Sequence, residues 1–362
     1  MSNRLYYLDN VRTLLILVAI ICSALSGFMV YPDVHTYVPS TTQHYGFDAF
    51  INAAIAVILG GLFFISGYCN GATLRMHVVR EFVQKKWLRL GLPWVAGIAV
   101  LAPELAYISY ISHGGNPDIS TFYWTTYWYD YFTQGQYWFL AVLLVLNGLL
   151  ALAKLISHSC LQHKQAVPLP PFYAGLFVFF LAFALNGAYM LFGNHWFNIA
   201  YVLTFRADYA IMAVFYFLAG IYASKHRWFS RRGYVPAFAW IYAFLAVAVV
   251  YGIAVSTVQP LPAYMAGPLL SLLSFTGVLG CIGFFAHFGN TTTPRAKELA
   301  LLSYGFYMLS EPLVQNTAFF LNPLAVPGAV KIILILAITF IYGYLVSKYA
   351  LIHLAPFKQQ YL

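Results

Sequence analysis

Apolar runs long enough to cross a lipid bilayer fill most of this sequence. A helix needs about 20 residues to span roughly 30 Å of hydrocarbon. Ten runs of that length are present, at 12–30, 48–69, 90–110, 136–156, 172–193, 206–223, 235–255, 264–287, 298–320 and 329–351. They lack the alternation of a barrel strand, so they must satisfy their backbone hydrogen bonds as helices. We predict an all-α polytopic membrane protein with about ten transmembrane helices, forming a single domain over residues 1–362.

Composition excludes a soluble protein, because 62% of the residues are hydrophobic and only 8% are charged. The net charge of +9 arises from Lys and Arg that alternate by loop. The loops 31–47, 111–135, 194–205, 256–263 and 321–328 contain none of them. The basic residues of the other loops and the termini are Arg4, Arg75, Arg80, Lys85, Lys86, Arg89, Lys164, Lys225, Arg227, Arg231, Arg232, Arg295, Lys297 and Lys358.

By the positive-inside rule, this alternation places both termini in the cytoplasm. It also accounts for the positive charge without a nucleic-acid partner. Arg206 and Lys331 are the exceptions near outer ends, where snorkelling to the interface explains a long cationic side chain. We expect a multi-pass protein of the inner (cytoplasmic) membrane of a bacterium, with the lipid bilayer as a partner. The sequence leaves the oligomeric state open.

One outer loop is unusually aromatic: eleven of the eighteen residues from Phe122 to Phe139 are Phe, Tyr or Trp. Tyr and Trp collect at membrane interfaces, so an aromatic belt is the favoured interpretation. The alternative is a surface on which sugar rings stack, at the outer mouth of a pocket.

Several motifs, taken in order, give the chain a resemblance to a known family. Five stretches carry it: "YLDNVRTLLIL", "GLFFISGY", "FVQKKWLRLGLPW", "GQYWFLAVLL" and "LLSYGFYMLSEPLV". Their order and spacing resemble the acyltransferase-3 family of multi-spanning membrane acyltransferases over essentially the whole chain. The resemblance implies transfer of an acetyl or succinyl group from cytoplasmic acyl-CoA, most often acetyl-CoA, to a hydroxyl of an extracytoplasmic glycan or lipid-linked acceptor.

The resemblance also implies histidines at positions where this chain has none. Arg12 matches the family's arginine at the start of the first helix, but the catalytic histidine expected eleven residues later is Ser23. A second family histidine corresponds to Ser310, and a third, variable one to Gln136. Imidazole is a suitable base because its pKa lies near working pH, and serine has no such pKa.

Two interpretations therefore compete. In the first, the protein is an O-acyltransferase in which Glu311 or Asp9 replaces the histidine base, and Ser23 and Ser310 hold the acceptor. In the second, it is a catalytically inactive relative that binds or translocates an acyl donor, a lipid or a glycan. We favour acyl transfer, because the other family motifs are retained. A generic transporter is a weaker third possibility, since matching broken helices are not apparent.

The remaining candidates bind the two substrates. Arg12, Arg89, Lys86 and Lys85 are predicted to hold the phosphates of the donor, although anchoring and lipid contact also explain them. The predicted acceptor residues are Asp9, Gln136, Trp138, Tyr304 and Tyr307. Asp9 is also placed to pair with Arg12 one helical turn away. No HxxxH or HExxH pair is present, and we predict no metal.

Two short motifs predict helix packing. "FFISGY" contains Ser66 and Gly67, and "LAG" contains Gly220. Small residues let membrane helices approach closely. We also expect a passage that joins a cationic inner mouth to an aromatic outer mouth and passes the Ser23 hydroxyl.

Overall fold

A computed structural model describes residues 5–31, 38–157, 159, 161–162, 170–230, 233–289 and 293–351. Within these residues, each of the ten predicted runs overlaps one helix, although the helices at 12–30 and 235–255 are displaced to Tyr6–Ser26 and Trp240–Thr257. The helices are α1 Tyr6–Ser26, α2 Tyr45–Met76, α3 Val79–Ser112, α4 Gly135–Ile156, α5 Pro171–Phe192, α6 Ala207–Lys225, α7 Trp240–Thr257, α8 Ala263–Phe288, α9 Pro294–Leu321 and α10 Gly328–Tyr349. The predicted all-α polytopic membrane fold is confirmed.

Nine of these helices, among the residues described, are long and apolar enough to cross a membrane, and α9 is the exception. Polar side chains interrupt the middle of α9 at Ser310, Glu311 and Gln315, and all three are buried. A helix that faces other helices, rather than lipid, can carry such groups because its neighbours supply hydrogen bonds. The polarity of α9 therefore marks it as an interior helix.

The two predicted sets of loops lie at opposite ends of the bundle. At one end, which we call the basic end, Asn10 donates to the Gly289 carbonyl at 2.9 Å, and Lys348 pairs with Glu298 at 2.8 Å. At the outer end, Asn322 donates to the Pro39 carbonyl at 2.8 Å. Of the predicted inner cations, Arg4, Lys164, Arg231, Arg232 and Lys358 lie outside the described residues.

Helices α2 and α6 cross with their backbones in contact. A Cβ placed on Gly220 would lie 2.7 Å from the Tyr68 nitrogen and even closer to the Phe64 carbonyl oxygen. On the facing helix, a Cβ on Gly67 would lie 2.9 Å from the Phe217 carbonyl carbon. Each glycine thus faces the backbone of the other helix, and the predicted packing role of Gly67 and Gly220 is confirmed.

Helix α3 is continuous but contains two π-helical segments, Trp87–Gly91 and Gly97–Leu101. Each contains a glycine against which an aromatic ring packs: Trp87 against Gly91, and Tyr137 of α4 against Gly97. Such segments widen the helix locally and recur at functional sites. The first of them presents Arg89, at the basic end.

The outer end carries two elements that the sequence did not predict. A two-stranded antiparallel hairpin joins α5 to α6, with β1 Trp196–Ile199 and β2 Leu203–Arg206 in a register that pairs Trp196 with Arg206. Between α3 and α4 lie the short helical segments Ile119–Thr121, Phe122–Thr126 and Tyr127–Tyr129.

The aromatic run of that loop is mainly a packed cluster. Phe122 and Tyr127 are buried against Ala106 and form a small core of their own. Trp124 and Tyr129 are exposed on the outside. This arrangement fits the favoured belt better than a continuous stacking surface, because the rings bury one another.

Candidate functional site

A cavity of about 730 Å³ lies at the outer end of the bundle. Its walls come from α1, α2, α4, α5, α6, α7, α8 and α9, from the β hairpin and from the outer loops. The volume falls within the roughly 300–1,000 Å³ that is usual for small-molecule sites.

Five of the predicted site residues line this cavity: Ser23, Gln136, Trp138, Tyr307 and Glu311. Ser310 does not line the cavity, but it contacts Gln136, which does. The lining contains none of Asp9, Arg12, Lys85, Lys86, Arg89 and Tyr304. Within the described residues, the structure thus brings together the catalytic and most acceptor-binding candidates, and separates them from the donor-binding ones.

The side chain of Glu311, a residue of α9, lies at the N-terminus of α4. Its Oε2 accepts a hydrogen bond from the Gln136 backbone N–H at 2.7 Å, and its side chain is buried. Gly135, with φ +48°, allows this turn to approach the Glu311 carboxylate: a Cβ at Gly135 would lie 3.4 Å from Oε2. The positive end of the helix dipole stabilises a carboxylate at this position. Glu311 therefore combines a structural capping role with a place in the cavity wall.

The two other positions where the resemblance implies histidine contact each other. The Ser310 hydroxyl lies 3.1 Å from Gln136 Oε1, to which it can donate a hydrogen bond. Gln136 also donates to the Met308 carbonyl at 3.3 Å, and its own carbonyl accepts from the Tyr307 hydroxyl at 2.5 Å. The network joins α9 to the start of α4 and fixes Glu311 between them.

Ser23 faces the cavity from α1. Its hydroxyl oxygen is buried and has no hydrogen-bond partner within the described part of the chain. The same residue borders a second, much smaller pocket of about 10 Å³, which Gln315 and Lys331 also line. Buried polar atoms are normally hydrogen-bonded, so this unpaired hydroxyl is an exception in the wall of the cavity.

The predicted donor residues gather at the basic end. Arg12, Lys86 and Arg89 lie close enough to act on one another electrostatically. Lys86 donates to Asn70 Oδ1 at 2.5 Å, which fixes the side chain against α2. Lys85, one residue away, is exposed. Three cations held together despite their repulsion form a site suited to an anionic group.

One face of α9 connects the two regions. Tyr304 donates to the Arg89 carbonyl at 3.0 Å, and its ring stacks on that of Tyr307, 6.5 Å away between centroids. Tyr307 lines the cavity one turn before Glu311. The expected passage is therefore present only in part: in the residues described, the cavity reaches Ser23 and Tyr307 but not the cations.

The residues on the hairpin side of the cavity were not predicted from the sequence. Arg206 lines the cavity, and its Nε and Nη2 donate to Asp208 at 2.7 and 2.6 Å. The guanidinium lies over the Tyr209 ring, 3.8 Å from its centroid. The interpretation of Arg206 as a snorkelling residue is wrong, because the side chain is 13% exposed and paired. Its isolation among outer loops without Lys or Arg was the signal that could have identified it.

Three rings form an aromatic panel on the same wall. Trp138 stacks on Tyr209 with centroids 5.6 Å apart, and Trp196 meets both rings edge-on at 5.9 and 6.0 Å. Trp138 was predicted, whereas Trp196 and Tyr209 were not. Asp48 also lines the cavity, and its buried carboxylate accepts hydrogen bonds from the Val30 and Tyr31 N–H groups, both at 2.9 Å.

Comparison with known proteins identifies the family. Residues 5–348 match the family model of the acyltransferase-3 domain, described as an acyltransferase domain, which covers nearly the whole chain. No curated protein and no solved structure matches it. The residues matched include the outer cavity, the cation cluster and the face of α9 between them. The chain therefore belongs to the acyltransferase-3 family, as an integral multi-pass membrane protein of an acyltransferase type.

Proposed function

We propose that this protein is an O-acyltransferase of a bacterial inner membrane. It transfers an acyl group, acetyl or succinyl, from cytoplasmic acyl-CoA to a hydroxyl of an extracytoplasmic carbohydrate. The observation that carries the proposal is the position of Glu311: a buried carboxylate in the wall of the outer cavity, on the face of α9 that also contacts the cation-bearing segment.

The outer cavity suits a carbohydrate acceptor. Sugar rings present C–H groups on one face and hydroxyls around the edge, so they fit a site that combines aromatic rings with hydrogen-bonding side chains. The Trp138, Trp196 and Tyr209 panel supplies the rings. Gln136 and Ser23 supply polar side chains to the cavity wall.

The basic end suits an acyl-CoA donor. The phosphates of CoA are anionic, and Arg and Lys bind phosphate oxygens through charge-assisted hydrogen bonds. Arg12, Lys86 and Arg89 lie together there, at the end that the positive-inside rule assigns to the cytoplasm. The pantetheine arm would carry the thioester along α9 towards Tyr307 and Glu311.

The reaction then needs a proton acceptor. In the proposed step, Glu311 takes the proton of the acceptor hydroxyl while the oxygen attacks the thioester carbonyl. The carbon–sulfur bond breaks, an ester forms, and the CoA thiolate recovers the proton from Glu311. Of the two bases considered from the sequence, Glu311 and Asp9, only Glu311 lines the cavity.

The test uses the purified full chain in liposomes with radiolabelled acetyl-CoA and a neutral oligosaccharide. We expect label in the oligosaccharide. Glu311→Gln keeps an oxygen to accept the Gln136 N–H but cannot take a proton, so transfer should fall by at least about 100-fold, the usual contribution of a general base. Undiminished transfer by this variant would rule out Glu311 as the base.

Donor binding has a matched pair of variants. Arg89→Gln removes the guanidinium and leaves the backbone carbonyl that Tyr304 contacts. It should raise KM for acetyl-CoA about tenfold, because a charge-assisted hydrogen bond contributes roughly 1.5–3 kcal/mol. Lys85→Gln, on the exposed neighbour, should leave KM unchanged. Equal effects of the two substitutions would contradict a specific phosphate site.

The second candidate function is that of an inactive relative that binds or translocates an acyl donor, a lipid or a glycan. The observation in its favour is that Ser23, Ser310 and Gln136 occupy the positions where the family resemblance implies histidine. The discriminating variant is Ser23→His, assayed beside the parent. A gain of transfer or of acetyl-CoA hydrolysis that the parent lacks would support this second function.

A further inference from the structure

The charges around the outer cavity are unbalanced. Three carboxylates line it, those of Asp48, Asp130 and Glu311. Arg206 is the only Lys or Arg among the lining residues that the structure describes. An arginine in a cavity wall would ordinarily suggest an anionic ligand. Whether the charge of this guanidinium is neutralised therefore decides which ligand charge the cavity favours.

Asp208, which does not line the cavity, neutralises the charge of Arg206. Its two oxygens accept hydrogen bonds from Nε and Nη2 at 2.7 and 2.6 Å, a bidentate pair. Asp208 is 2% exposed and does not line the cavity, so a ligand meets the guanidinium but not the carboxylate. The Tyr209 ring covers one face of the guanidinium, at 3.8 Å. Only Nη1 remains outside the bidentate pair, and it can donate to a neutral hydroxyl.

We propose that the outer cavity selects acceptors without negative charge, and that Asp208 is a specificity-determining residue because it cancels the Arg206 charge. This inference rests on the proposed function and narrows its acceptor to neutral sugar units. A uronate or phosphorylated sugar in the cavity would face three carboxylates, with no free cation among the described lining residues to offset them. A neutral hexose would not meet this repulsion, because its hydroxyls can accept from Nη1 and donate to the carboxylates.

The experiment measures binding by calorimetry to the purified full chain in detergent, so it does not depend on turnover. Two matched ligand pairs are used: oligogalacturonate and oligoglucuronate, each beside its carboxyl-reduced form, which has the same linkages and no charge. The neutral members should bind about tenfold more tightly, the ratio expected for like charges roughly 10 Å apart at an effective dielectric constant of about 20.

The decisive variant is Asp208→Asn. It frees the Arg206 charge, so uronate affinity should rise about tenfold while affinity for the neutral member stays within about twofold. Asp118→Asn, on the outer loop and away from the cavity lining, is the control and should change neither. If Asp208→Asn does not fold, Asp130→Asn replaces it: this exposed cavity-lining carboxylate contacts no part of the pair, and its loss should also favour the uronate.

The outcomes separate the two proposals. Uronates that bind the parent as tightly as their neutral forms, or an Asp208→Asn variant that leaves the discrimination intact, would overturn the inference while carbohydrate binding stands. If no member of either pair binds the parent protein, the proposed carbohydrate cavity fails, and the inference fails with it.

Discussion

From the contact between α2 and α6 we predict how strongly Gly220→Ala destabilises the protein. The added Cβ would lie 2.7 Å from the Tyr68 nitrogen, and ordinary contact begins at 3.4 Å, so the helices must separate by at least about 0.7 Å. The obstacle is backbone, which cannot rotate away as a side chain can. We therefore expect a loss near the upper end of the roughly 1–3 kcal/mol range for overpacking.

The assay is thermal unfolding in detergent, followed by size-exclusion chromatography of heated samples. At about 1.3 °C per kcal/mol for a chain of 362 residues, the midpoint should fall by roughly 3–4 °C. Gly187→Ala and Gly252→Ala are matched controls, because both glycines lie within helices and an added Cβ would meet no other atom within 4 Å. They should be neutral or slightly stabilising, since alanine is the better helix former.

Equal midpoints for Gly220→Ala and the two controls would refute the reasoning, because they would show that the crossing has room for a methyl group. A destabilised Gly220→Ala variant should also bind carbohydrate more weakly. Leu59 and Leu62 of α2 line the cavity, and α6 carries Tyr209, so a shift of either helix changes the cavity wall.

Three further predictions concern single side chains. Trp196→Ala removes one ring of the panel and should weaken oligosaccharide binding roughly threefold to tenfold by calorimetry, whereas Trp124→Ala, on an exposed ring outside the cavity, should not. Asp48→Asn leaves one of the Val30 and Tyr31 N–H groups without an acceptor and should cost about 1–3 kcal/mol in thermal unfolding; an unchanged midpoint would contradict this. Ser310→Ala removes the bond to Gln136 and should lower kcat about fivefold with KM unchanged; the rate is expressed per mole of folded protein, because a loss of folded protein alone would give the same split.

The sequence predicted the helices well because a bilayer permits few alternatives. Length and hydropathy located all ten runs, and the loop charges gave two ends that the structure also separates. It could not predict the β hairpin, because a pair of four-residue strands leaves no periodic signal above a background of aromatic residues. Nor could it show that Phe122 and Tyr127 pack into a cluster of their own, since that depends on Ala106 from another element.

The candidate site was predictable along α9, at the start of α4 and at Ser23 of α1, where motif and helical spacing agree. Tyr307, Ser310 and Glu311 lie on nearby turns of one helix, so their proximity follows from its periodicity. Arg206 and Asp208 are only two residues apart in the sequence. The effect of the pair on a charged ligand nevertheless depends on which of the two side chains faces the cavity. That orientation follows from the turn between β2 and α6, which the sequence pattern does not fix.

The glycine crossing has a consequence for how this family member can change. Where two helices touch through their backbones, the distance between them does not depend on side-chain size, so substitutions elsewhere on α2 or α6 leave the spacing of the two helices unchanged. New acceptor preferences must therefore arise from side chains that line the cavity, such as Trp196 and Arg206, and not from a change in the distance between these two helices.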